Sequence, residues 1–382
     1  MNGRRRWATL AVVALCACGM RPSSGDGGDV VGEVSSTDGS DAPSTDTIAS
    51  NCPARSMATR AQLPGITEIA LAAAGDFNGD GRTDLAVSFP GGGIATFLAS
   101  PCGELFAGSR GLEGVVLTGL DVAPLASMTS VDIVALRADR QLLALAGTDL
   151  HELWSASLTQ LTDAGPVVSA RLAADGRVHV AAFDASTSAL LRVQNTGSGW
   201  MVRARVTLPP GIARVRAGDL GGNARDELLF LGGGLVEVVS VADFDFSDVR
   251  FLSMSASSAA AFGDFNADTN GDAVIASRTM AVLWTGDGST RITMRDGYRA
   301  AAEIVELVTL DREGDRRPEV GLLDANGDVQ ILARGATAFA MGETASFGSD
   351  VTQLISGDVD GDGHGDLVGL TAGGAAVVWR AP

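Results

Sequence analysis

The chain has 382 residues, 46% of them apolar, with few aromatics and a formal charge of −18. All 28 basic residues are arginine, which excludes lysine chemistry. A net-acidic chain without a basic block suits cations better than nucleic acid.

Residues 1–17 read as an export signal. Arg4, Arg5 and Arg6 precede the apolar run WATLAVVAL, about half of what a bilayer span requires. The run ends in Leu15, Cys16, Ala17, Cys18 and Gly19. This resembles the lipobox of bacterial lipoproteins, with cleavage before Cys18 and acylation of its thiol; a plain signal peptide cut nearby is the alternative. Gly19 after the lipidated cysteine resembles the outer-membrane sorting pattern. The resemblance therefore implies a lipid-anchored cell-envelope protein that meets the membrane only through its anchor. Beyond Cys18, residues 19–51 are Ser, Gly, Asp and Thr with little to bury, and read as a tether spanning roughly 30 Å. Cys52 and Cys102 remain, in a compartment that permits pairing.

From residue 52 to 382 the chain is periodic. GDFNGDGRTDLAV, at Asp76, has relatives at Asp219, Asp264, Asp311 and Asp358. The last four anchors lie 45, 47 and 47 residues apart. The same step places a decayed copy at Asp121 and another near residue 170. Each unit runs small apolar strand, acidic loop, strand, Gly turn, strand and a looser fourth segment. That grammar predicts an all-β fold: a seven-bladed β-propeller of four-stranded antiparallel blades. The expected blades are residues 65–112, 113–160, 161–207, 208–255, 256–301, 302–346 and 347–382. The last unit lacks a fourth strand, and residues 52–64 resemble the fourth segments elsewhere. They are expected to complete blade seven and close the ring. Cys52 and Cys102 then fall at equivalent points of neighbouring blades, where a disulfide would pin the closure; two free thiols are the alternative.

The loops explain the acid. Calcium takes six to eight oxygens. A nine-residue loop with side-chain oxygens at positions 1, 3, 5 and 9, a carbonyl at 7 and Gly at 6 can wrap one ion. In loop one these are Asp76, Asn78, Asp80, the Arg82 carbonyl and Asp84, with Gly81 at the bend. In loop seven they are Asp358, Asp360, Asp362, the His364 carbonyl and Asp366, with Gly363 at the bend. Loop five offers Asp264, Asn266, Asp268, the Asn270 carbonyl and Asp272, but Thr269 replaces the Gly. Loop six, with Asp311, Glu313, Asp315 and Glu319, carries Arg316 at the bend and Pro318 at the exit. Loop four has Gly221 and Asn223 at positions 3 and 5. Two to three calcium ions are expected, in loops one, seven and five.

These loops resemble the FG-GAP and VCBS repeats of integrin α-subunit propellers, over about 330 residues. The resemblance implies calcium loops on one face and ligand binding mainly on the other. Strands flank the loops here, so an EF-hand is the weaker reading. No catalytic arrangement competes. His151, His179 and His364 have no partner at a motif spacing, and HExxH, CxxC, GxSxG and P-loop patterns are missing. Trp154, Trp200, Trp284 and Trp379 read as packing residues before they read as a sugar platform. The function expected is non-catalytic: a membrane-anchored, calcium-binding monomeric propeller presenting a surface to a protein or polysaccharide partner. A polysaccharide- or lipid-active enzyme on this scaffold and a passive envelope-assembly component are the alternatives.

Overall fold

The computed structural model describes residue 52 and residues 58–381, apart from 127–128, 174–175, 185, 209–211, 233–234, 243–244, 253–256, 289–291, 316 and 335–338. The expected signal segment, Cys18 and the tether lie outside the described residues. So do Arg316 and most of the segment before the first strand. No helix among the described residues is long and apolar enough to cross a membrane.

The fold is an all-β propeller of four-stranded antiparallel blades. Its strands pair into seven four-stranded sheets. The first sheet is β2 (Leu71–Gly75), β3 (Asp84–Ser88), β4 (Ile94–Ala99) and β5 (Leu105–Gly111). The second is β6 (Leu117–Ala123), β7 (Asp132–Arg137), β8 (Gln141–Leu145) and β9 (Glu152–Ser157). The third is β10 (Ala164–Ala170), β11 (His179–Asp184), β12 (Ala189–Asn195) and β13 (Trp200–Thr207). The fourth is β14 (Ile212–Gly218), β15 (Glu227–Gly232), β16 (Leu235–Ala242) and β17 (Asp245–Leu252). The fifth is β18 (Ser257–Gly263), β19 (Asp272–Ser277), β20 (Met280–Gly286) and β21 (Ile292–Arg299). The sixth is β22 (Ile304–Leu310), β23 (Glu319–Asp324), β24 (Asp328–Arg334) and β25 (Phe339–Ser346). The last is β26 (Val351–Gly357), β27 (Asp366–Thr371), β28 (Ala375–Trp379) and, on its outer edge, β1 (Thr59–Gln62). In that pairing Thr59 lies opposite Val378 and Gln62 opposite Ala375.

The apolar runs have a packing cause. Each second strand is sandwiched between two neighbouring sheets, so both of its faces must be apolar. In β3, Leu85 and Val87 join a cluster with Val368 and Leu370 of the last sheet, while Ala86 joins one with Leu120 and Ile133 of the second. In β27 the alternation repeats: Leu367 faces the sixth sheet and Val368 the first. Such clusters fill every gap between successive sheets, including the gap between last and first. The outer strands pack on one side only and are mostly exposed, as in β5 and β21.

Cys52 and Cys102 form a disulfide, with Cα atoms 5.1 Å apart. It ties the segment preceding β1 to the turn between β4 and β5. Toward the middle of the ring, Glu306 of β22 is 2% exposed and accepts from Arg214 at 3.1 Å and Arg216 at 3.0 Å, both on β14. The ion pair spans two sheets that are not neighbours.

Candidate metal centres

The strand pairing fixes the loops. Each acidic loop joins a first strand to a second, and its last residue opens the second strand opposite the last residue of the first. Gly75 faces Asp84, Gly263 faces Asp272 and Gly357 faces Asp366. By the same register the second loop runs from Pro124 to Asp132 and the third from Arg171 to His179. The anchor expected at Asp121 is thus three residues early. Asp121 lies within β6, fully buried, and burial pushes its carboxyl up to about 7 against the amides of Ser169 and Val122.

The first carboxylate of each loop is capped by the loop's own amides. Asp76 accepts from Gly79 at 2.7 Å, Asp80 at 3.1 Å and Gly81 at 2.9 Å. Asp358 accepts from Gly361 at 2.7 Å, Asp362 at 3.1 Å and Gly363 at 2.8 Å. Asp264 takes the amides of Asp268 and Thr269. The fifth position then accepts from the seventh: Asp80 from Arg82 at 2.9 Å, Asp362 from His364 at 2.8 Å and Asp268 from Asn270 at 2.8 Å. Asn78 and Asn266 bridge to Asp80 and Asp268 through their side-chain amides, at 2.9 and 2.8 Å.

Loops four and six copy this wrapping. Asp219 accepts from Asn223 and Ala224, and Asn223 from Arg225. Asp311 accepts from Asp315, and Asp315 from Arg317. Position six is left-handed whether or not it is glycine: φ is 83° at Gly81, 87° at Gly363, 70° at Thr269 and 63° at Ala224. The missing glycine that set loop five apart in the sequence therefore costs strain, not shape, and Ala224 of loop four takes the same conformation. What separates the loops is their side-chain oxygens.

The ninth position is a buried brace. Asp84, 1% exposed, accepts from Phe77 at 3.0 Å and from Ala99 of β4 at 2.8 Å. Asp366, also 1% exposed, accepts from Val359 at 2.9 Å and Ala381 at 2.8 Å. Asp272 accepts from Gly286. In the third sheet an imidazole does the same work. His179 accepts the Asn195 amide at 3.2 Å through Nδ1, so its proton sits on Nε2. His179 is thus a buried structural residue, and Asp132 brace-holds Leu125 and Ala126 in the second. Neither role was visible in the sequence, because the other acidic positions of those loops are gone.

Burial dominates the electrostatics. It pushes the Asp366 carboxyl up to about 7 and Asp84 up to about 6, each against two backbone amides, with neighbouring carboxylates adding to the rise. It also raises Asp358. In loops four and six it raises Glu227 to about 7 and lifts Glu319. The donor set of loop seven fits a hard divalent cation: carboxylate oxygens of Asp358, Asp360 and Asp366 all lie within 4.8 Å of one another. Arg380 reaches Asp360 at 3.3 Å and offsets part of that charge. In loop one Arg82 plays this part on Asp80 and also bonds the Ala99 carbonyl at 2.9 Å. His364 turns its imidazole away from the loop, with Nδ1 donating to the Arg312 carbonyl at 2.8 Å. The tryptophans form no common platform: Trp379 is buried, and Trp154 meets Trp200 edge to face at 5.7 Å.

A propeller whose interstrand loops carry oxygen donors in this order is the class of protein the fold and the loops define. Within it, residues 70–103, which span loop one and β2 to β4, match the FG-GAP repeat family. No curated protein matches the chain in sequence. Solved propellers are similar in fold. BBS1N, crystallised in complex with ARL6DN, has a TM-score of 0.64 at 11% identity, over 86% of this chain and 98% of that one. Saccharomyces cerevisiae Sqt1 has a TM-score of 0.57 at 11% identity, over 82% and 84%. Moraxella catarrhalis BamB has 0.51 at 13%, over 86% and 98%. At these identities the likeness is one of fold.

Proposed function

We propose that the seven sheets are the blades of one closed ring, latched by β1, and that the ring is a non-catalytic interaction scaffold braced by calcium. Loops one and seven hold an ion each through Asp76, Asn78, Asp80, Arg82 and Asp84, and through Asp358, Asp360, Asp362, His364 and Asp366. Loop five holds a third through Asp264, Asn266, Asp268, Asn270 and Asp272. The ion supplies positive charge where carboxylates converge, and these residues supply the oxygens. The convergence of Asp358, Asp360 and Asp366 within 4.8 Å carries the reading. Two such carboxylates about 4 Å apart repel by roughly 4 kcal/mol at an effective dielectric near 20, which a divalent ion reverses. Acylation at Cys18 anchors the propeller to the cell envelope, at the outer membrane, and the tether lifts it from the lipid. The partner, a protein or a polysaccharide, meets the face away from the calcium loops. Capture from envelope extracts with the purified protein, in calcium and in chelator, tests this. One saturable partner lost in chelator supports it. Turnover on a glycan or phospholipid panel overturns it.

A further inference from the structure

Backbone bonds join some of the interstrand loops, and of the three loops assigned to calcium they join seven to one and leave five apart. The amide at position eight of a loop donates to the carbonyl at position one of the preceding loop. Thr83 donates to Asp358 at 2.6 Å, Gly365 to Asp311 at 2.6 Å, Val131 to Asp76 at 2.8 Å and Asp226 to Arg171 at 3.0 Å. Among the described residues the series is incomplete: neither Val178 of loop three nor Gly271 of loop five makes this bond, and in loop six position eight is Pro318, which has no amide hydrogen to donate.

The contact between loops seven and one is closely packed as well as bonded. Asp358 uses its side chain inside loop seven and its carbonyl outward, toward Thr83. Thr83 immediately precedes Asp84, the buried brace of loop one. Its side chain also lies directly on Gly357, where an added Cβ would fall 2.4 Å from the Thr83 hydroxyl. Beside it the Arg82 stem covers Gly361, where a Cβ would lie 3.0 Å from Cγ. The peptide that carries the first ligand of loop seven is therefore the seat for the last turn of loop one.

We propose that calcium binds cooperatively at sites one and seven through Thr83, and that site five titrates independently of both. This rests on the reading of loops one, five and seven as calcium sites. An ion in loop seven fixes Asp358, hence its carbonyl, hence the seat of Thr83 and Asp84. The ordering cost of loop one is then partly met before its own ion arrives, and the reverse holds equally, since coupling between binding sites is reciprocal. From site five, Pro318 offers no amide in one direction round the ring, and in the other Gly271 makes no bond to the Asp219 carbonyl and the next loops lack a full donor set.

Calcium titration of the full protein by calorimetry tests this with four variants. Asp268→Asn leaves sites one and seven. Asp268→Asn with Asp360→Asn leaves site one, and Asp80→Asn with Asp268→Asn leaves site seven. The overall constant of the pair is expected to exceed the product of the two single-site constants by at least about fivefold. Removing site five is expected to change neither of the others by more than about twofold. Thr83→Pro, which copies the break at Pro318, is expected to abolish the excess and leave the single-site constants in place; a purely structural role would lower those constants instead. Should that variant fail to fold, the comparison of pair with product still decides. A pair that binds as the simple product overturns the inference and leaves the calcium reading standing. No calcium bound at all overturns both.

Discussion

Without its ions the protein should lose stability as the pH rises, the reverse of what ordinary carboxylates produce. Asp366 and Asp84 titrate in the folded chain at about 7 and about 6, raised by burial, against roughly 3.9 in the unfolded chain. Between those values the folded state holds protons that the unfolded state has released. Stability is then highest near pH 4 and falls as pH climbs through the folded pKa values. Each group contributes about 1.4 kcal/mol per pH unit. The two together give roughly 3 kcal/mol per unit near pH 5, and Asp366 alone about half that above pH 6. Asp121 and Glu227, raised to about 7 by burial as well, add a slope of the same sign. They lie outside the calcium loops assigned above, so their part persists with or without the ion. Urea unfolding at pH 5, 6, 7 and 8, in chelator and in saturating calcium, separates the contributions. Calcium should flatten the curve by the share of Asp84 and Asp366, because the ion stabilises their charged forms. Identical pH profiles in chelator and calcium, or stability rising from pH 5 to 7 in chelator, would refute the reasoning.

Three further outcomes follow from single contacts. Thr269→Gly removes a β-branched residue from a left-handed backbone and should stabilise the fold by about 1 kcal/mol, read as a higher urea midpoint at unchanged slope. Cys102→Ser opens a closure of sequence separation 50, worth about 4 kcal/mol in the chain-entropy account, and should lower the melting temperature under oxidising conditions. Under reducing conditions the variant and the parent should melt together. Glu306→Ala leaves Arg214 and Arg216 facing each other without their shared carboxylate and should cost about 3–5 kcal/mol by urea unfolding.

The four-stranded grammar was legible because each element has a local cause. The second strands are apolar on both faces, the turns need Gly, and five of the loops begin with Asp. Loops one, five and seven could be named residue by residue for the same reason: their donors are close in sequence. The rest depends on register and on distant partners. The anchor at Asp121 came from counting a step of 45, whereas the pairing of Ala123 with Asp132 sets the second loop three residues later. His179 could not be read as a brace, since an imidazole in place of a carboxylate keeps the hydrogen bond and loses the motif. Arg380 lies 20 residues from the Asp360 it pairs with, beyond the reach of any loop pattern. The bonds between loops use backbone amides, which leave no trace in residue identity except where proline forbids one.

The melting temperature of the protein in chelator and in about 1 mM calcium tests the central claim most directly. An ion present at about 100 times its dissociation constant adds about 2.7 kcal/mol per site, and a domain of this size gains about 2 °C per kcal/mol. Loops one and seven together should raise the midpoint by roughly 10 °C, and Asp358→Asn should remove about half of that rise or more. An unchanged midpoint in calcium, for the parent protein as for the variant, would contradict the account.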